Sequence, residues 1–252
     1  MAFCLKKKES ISKATRRLGR ERLEDAVACL KEGHRAEAIH CARKDIKKVR
    51  AVMRLVRPRI KKKKFVRLTR PLRDAANHLA APRDAYIKAQ TLRKLAHHFK
   101  GQLAPGALRH VRADLRKDFD DELKRFGQNH TASAVEKALC QVMKALERLK
   151  INGRGWRALS PGVKAAYREG RRAYQRARKD PSPENFHRWR KRTKDLWYHV
   201  RLLHPVWPEQ MEAMAGELEA LSESVGDDHD LVVLRRDVEE RSIGEEIGRA
   251  HV

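Results

Sequence analysis

The chain is 252 residues long and carries 59 Lys and Arg against 33 Asp and Glu, a net charge of +26 with His neutral. That excess excludes cationic partners and favours polyanions: nucleic acid, an anionic membrane surface or polyphosphate. A hydrophobic share of 41% excludes a disordered basic tail.

Apolar residues recur with helical period throughout, and no stretch alternates as a strand would. In chain order the spacing predicts helices over 11–33, 35–57, 63–80, 83–99, 107–126 and 131–150, then 161–180, 183–204, 208–225 and 228–241. Breaks are expected at Gly33, Pro58, Pro82, Gly101 to Gly106, Gly127, Pro181 with Pro183, Pro205 with Pro208, and Gly226. The clearest buried seam is Val135, Leu139, Val142, Leu146 and Leu149, stepping by four and three as a bundle helix requires. INGRGWRALSPG, residues 151–162, reads as a loop that divides the chain. The expected fold class is all-α: a single domain over 1–252, with one unit at about 11–150 and a second at about 160–241.

No window of about 18 apolar residues occurs, so no membrane-spanning helix is expected. The N-terminal MAFCLKKKES lacks the apolar core of a signal peptide. Cys4, Cys29, Cys41 and Cys140 form no C-x-x-C pair; they are expected as reduced thiols of a cytoplasmic protein, not as a disulfide framework or zinc site.

The stretch FHRWRKRTKDLWYHVRLL, residues 186–203, concentrates the charge on one side of a helix. At about 100° per residue from His187, Arg190 lies near −60°, Lys191 near +40°, Lys194 near −20° and Arg201 near −40°. Phe186, Trp189, Leu196, Val200 and Leu203 take the opposite side. The same arrangement occurs 147 residues earlier in IHCARKDIKKVRAVMRLVR, where His40, Arg43, Lys44, Lys47 and Arg54 hold the corresponding positions. Ile39, Ala42, Val49, Met53 and Val56 match the apolar side. At an offset of 146, LRDAANHLAAPRDAYI (72–87) lies over LEALSESVGDDHDLVV (218–233), which sets Arg83-Asp84 over His229-Asp230 at two expected helix starts. The chain therefore reads as two pseudo-symmetric helical units from an internal repeat, with a basic cavity between or along them.

Five cations or potential cations over about 21 Å of helix repel one another unless an anion sits among them. A phosphate chain suits them. Arg43, Arg54, Arg190 and Arg201 can each grip oxygens bidentately, while Lys44, Lys47, Lys191 and Lys194 act as point charges. Bound phosphate would favour protonated His40 and His187. Further candidates for the same surface are Arg16, Arg17, Lys61 to Lys64, Arg83, Arg171, Arg172 and His229.

The pattern H-x-x-R-K-x-x-K, at 40–47 and 187–194, with the later GDDHD at 226–230, resembles the CHAD domain, an α-helical domain named for its histidines. HRWRKRTKDLWYHVRLL and VGDDHDLVVL are similar to that family's second-repeat signature, and the likeness runs from about residue 11 to about 240. The resemblance implies two helical bundles whose basic helices face a shared cavity. It also implies binding of inorganic polyphosphate without catalysis, in a cytoplasmic protein associated with polyphosphate granules. The sequence departs from the pattern after Asp230, where 22 residues follow against about 65 after Asp84, so the second bundle is expected to be short by up to two helices.

Two other classes compete. A general nucleic-acid-binding basic helical protein is the alternative that the charge allows. Against it, aromatics are only 6%, and no zinc finger, basic zipper or helix-turn-helix signature is present. A metal or enzyme site on His40 with His187, or on His97 with His98, lacks accompanying carboxylates, thiols or a nucleophile–base pair. No catalytic residue, metal or cofactor is therefore expected.

Overall fold

A computed structural model describes residues 3–33, 35–104 and 106–250, with side chains as far as Arg241. All regular structure among them is helical. Helix α1 (Ile11–Lys31) starts where the Ser10 side chain accepts from the Lys13 backbone N–H at 3.3 Å. The chain turns at Gly33, whose φ of 122° is open to glycine but strained for other residues, and returns as α2 (Ala36–Val56). The pairing buries Leu18, Leu23, Ile39, Ile46, Val49 and Met53 almost completely. Each such side chain contributes about 1.5–3 kcal/mol. Buried Asp45 holds Lys48 at 2.6 Å and Arg22 at 3.6 Å, which commits Lys48 to the core side of α2.

The expectation of four reduced thiols is corrected here. Cys29 and Cys41 form a disulfide between α1 and α2, and Cys4 and Cys140 stay free. The helical hairpin brings the two Cα atoms within 6.2 Å, a pairing that no sequence motif advertises.

A 3-10 turn at Arg57–Arg59 leads into α3 (Lys62–His78) and α4 (Ala80–His98), separated only at Leu79. Pro82 does not break the chain; it lies in the first turn of α4, where its missing N–H costs nothing. Helices α5 (Arg109–Gln128) and α6 (Thr131–Glu147) fold back, α5 onto α4 and α6 onto α1 and α3. The seam from Val135 to Leu149 is fully buried, as its spacing requires.

The second half holds α7 (Gly155–Lys179), α8 (Pro183–Leu202), a 3-10 turn at His204–Val206 and α9 (Pro208–Ala250). Two expectations fail here. The loop expected over 151–162 ends at Arg154, and Pro161 lies inside α7. Proline there leaves the Arg157 carbonyl without its usual donor, and Arg59 Nη2 donates to it at 2.6 Å. Beside it, a Cβ on Gly162 would lie 1.8 Å from the Leu55 carbonyl oxygen, so only glycine allows α7 to cross α2 this closely. The break expected at Gly226 is also absent, and one helix of 43 residues runs through it. A single glycine without a neighbouring proline weakens a helix by only about 1 kcal/mol.

The 147-residue register carries α1 and α2 onto the ranges of α7 and α8, and both α3 and α4 onto α9. Trp197, Tyr198 and Leu202 of α8 enter the same core as α1 and α2. His199, 1% exposed, donates from Nε2 to the Ala51 carbonyl at 2.9 Å and ties α8 to α2. Among the described residues no helix is long and apolar enough to cross a membrane.

Candidate functional site

Helices α2 and α8 pack through their apolar sides, which turns their basic edges toward a common face. The two strips converge on Lys47. Desolvation, then the charges of Arg43, Arg190, Arg83 and Lys194, push its ammonium down to about 8. His187 is pushed down to about 4 by burial and by Lys191, His229, Arg190 and Lys47. His40 falls to about 4 through desolvation and then Arg83, Lys47, Lys44 and Arg43. Lys191 and Lys194 are lowered too, burial being the first cause for each. Both strips therefore hold cations that their surroundings disfavour. His40, Lys44, Lys47 and Lys191 keep solvent-accessible surface on the basic face that the two strips share.

One arginine in each strip is a strut. Arg43 Nη1 donates to the Ala76 carbonyl at 2.7 Å, and Arg190 Nε donates to the Ser222 carbonyl at 3.2 Å. These donors and acceptors stand at corresponding positions in the two registers of 147 and 146. Ala76 lies in the last turn of α3, where carbonyls lack helical partners. Ser222 lies inside α9, and Gly226 one turn later makes room: a Cβ there would come within 2.6 Å of Arg190 Nε. The glycine that reads as a helix break is thus a cradle for an arginine.

Arg83 and His229 join the face, as their sequence positions suggest. Arg83 lies over the Tyr86 ring at 5.2 Å, and burial lowers its pKa despite the nearby Asp230 and Asp84. The His187 and His229 rings stack 4.2 Å apart, with both Nδ1 atoms buried and unpartnered. Asp230 does not start a helix as expected. It sits mid-α9 among Arg190 and His229, and burial raises its pKa.

Other candidates are placed elsewhere. Arg54 is ion-paired with Asp195, which Arg192 also approaches at 3.4 Å. Arg201 lies over the Trp197 ring at 4.7 Å; Lys194, which belongs to the convergence on Lys47, also caps that ring at 4.3 Å. Arg17 is held by Glu9 and Glu21, and Arg16 donates to the Glu147 carbonyl at 3.2 Å. Lys64 is bonded to the Arg148 carbonyl at 2.9 Å, while Lys61, Lys62 and Lys63 stay exposed. Arg171 and Arg172 are exposed on α7 and are not among the main charges that act on Lys47 or His187. Among the described residues no three His, Cys, Asp or Glu side chains gather as a metal site needs.

The model of the CHAD domain family matches residues 14–238. The chain belongs to the CHAD domain family. Its fold is similar to the crystal structure of the CHAD domain from the plant Ricinus communis, with a TM-score of 0.74 and 19% identity, covering 98% of this chain and 84% of that one. At that identity the likeness speaks for the fold alone. No curated protein sequence matches.

In this CHAD domain the repeat comparison misses Arg50. Its counterpart under the 147-residue register is Trp197, so a search for matched cations passes over it. The helical spacing 40, 43, 47, 50, 54 contains it nonetheless. Arg50 is half-buried, and no hydrogen-bond acceptor reaches it among the described residues.

Proposed function

We propose that this CHAD domain binds inorganic polyphosphate on the basic face shared by α2 and α8, with no chemical step of its own. The observation that carries this reading is the convergence of Lys47 with Arg190, Lys194 and His187, which leaves cations partly out of water and depressed by one another. A polyanion reverses both penalties at once. Polyphosphate carries charge along its whole length and bends, so it can follow strips on two helices. Arg43 and Arg190 each spend one N–H group on a carbonyl and keep others for phosphate oxygens. The Trp197 ring is already covered by Lys194 and Arg201, which leaves it a poor platform for stacking bases.

The test is a calorimetric titration with long-chain polyphosphate and with duplex DNA, at matched phosphate content and two salt concentrations. The reading expects polyphosphate to bind more tightly and to keep its advantage at the higher salt. Equal affinities that collapse together would mean that the net charge of +26 is all the partner senses.

A further inference from the structure

A cavity of about 210 Å³ lies between α2 and α3, beginning one helical turn along α2 from Lys47. Arg50 and Arg54 line it from α2, Arg70 and Arg73 from α3, with Phe65 and Val66 as its apolar wall. It is smaller than the roughly 300–1,000 Å³ sites that take organic ligands, and has the scale of a small ion.

Its charges do not balance. Arg54 pairs with Asp195, which also serves Arg192. Arg70 and Arg73 approach a single carboxylate, Asp74, at 3.8 and 3.5 Å. Arg50 has no acceptor among the described residues. Four guanidinium groups thus share two carboxylates; water screens the exposed Arg70 and Arg73, and half-buried Arg50 carries the clearest unmatched charge. Arg50 is further pressed by burial and by Arg54, Arg73 and Arg192, with Asp195 alone opposing.

We propose that this groove is a separate anion site that takes one compact phosphate dianion. A phosphate group carries about −1.5 to −2 charge at pH 7 and offers oxygens in the geometry that arginine forks match. The source of that group is either free orthophosphate or pyrophosphate, or the end of a longer chain. The groove adjoins the polyphosphate face, since Arg50 and Arg54 are among the charges that lower Lys191, but its four arginines are not among the main charges that depress Lys47, so the two sites can be tested apart.

The test titrates orthophosphate, pyrophosphate and long-chain polyphosphate against three proteins. These are the wild type, Arg50→Gln/Arg73→Gln, and Arg171→Gln/Arg172→Gln, which removes the same charge from the outer side of α7; circular dichroism checks that each is folded. The site requires pyrophosphate affinity to fall at least tenfold in the first variant and less than threefold in the second. If long-chain affinity falls along with it, the site holds chain ends; if it is unchanged, the site serves free phosphates. Equal losses in both variants, no loss in Arg50→Gln/Arg73→Gln, or no pyrophosphate binding by the wild type would overturn it. Failure of the polyphosphate reading would look different: long chains no tighter than DNA, with pyrophosphate still sensitive to Arg50 and Arg73.

Discussion

The basic strips of α2 and α8 begin alike and end differently. At their N-terminal ends each has a histidine, then an arginine strut to a neighbouring carbonyl, Arg43 to Ala76 and Arg190 to Ser222. Toward their C-terminal ends the resemblance stops. On α2, Arg50 has no acceptor among the described residues and Arg54 is spent on Asp195. On α8, Trp197 occupies the position of Arg50, is 5% exposed, and carries Lys194 and Arg201 on its ring. The surroundings explain the split. Helix α2 is packed on several sides by other helices, so a cation there is held in a groove; α8 has fewer helices around it and uses a large aromatic to complete its core. One pattern of charge therefore supports two local designs, a groove of arginines and an aromatic with cations laid over it.

The largest expected effect breaks the pair at its point of divergence. Trp197→Ala should cost about 3–5 kcal/mol of stability, since it empties a buried site. Arg50→Ala should stay within about 0.5 kcal/mol. Denaturant unfolding of both variants measures this, and equal costs would mean that the two positions do not differ as described. A smaller effect separates Lys47 from its neighbours by pH. Its free pKa is about 8, and a bound polyanion restores its proton. Affinity should therefore be full below about pH 8 and fall by up to about tenfold as pH rises to 9. Lys47→Arg keeps its charge and should flatten that fall; a wild-type affinity independent of pH from 7 to 9 would argue that Lys47 does not touch the ligand. The smallest effect concerns the strut on α8. Gly226→Ala should displace the Arg190 guanidinium and weaken polyphosphate binding by about threefold, with no loss of thermal stability because alanine favours the helix by about 1 kcal/mol. No counterpart is expected on α2, where Arg43 uses the end of α3.

Much of this was legible in the sequence, for identifiable reasons. Helix spans followed from apolar spacing, and the seam of α6 is buried residue for residue. The strips were legible because a helix face repeats every three or four residues. Long-range facts were not. The spacing of Gly226 cannot distinguish a helix break from a space left for Arg190, and Pro161 reads as a helix start unless Arg59 is known to cover the freed carbonyl. Arg54 looked like Arg201, but Asp195 meets it across 141 residues of chain. The apolar side of α8 was only partly legible: Val200 and Leu203 are buried, while Phe186 and Trp189 are half-open, with Tyr174 against the Trp189 ring at 5.0 Å. The disulfide of Cys29 with Cys41 depends on how the α1–α2 hairpin closes, which spacing alone does not report.

The most direct measurement compares two charge reversals of equal size in one polyphosphate titration. Lys47→Glu/Lys194→Glu changes the convergence of the strips, and Arg171→Glu/Arg172→Glu changes the outer side of α7; each lowers the net charge by the same amount. If α2 and α8 form one site, the first variant should lose at least a hundredfold in affinity while staying helical, and the second should stay within about threefold of the wild type. Equal losses would contradict it, and would leave a basic protein that binds polyanions wherever its charge happens to lie.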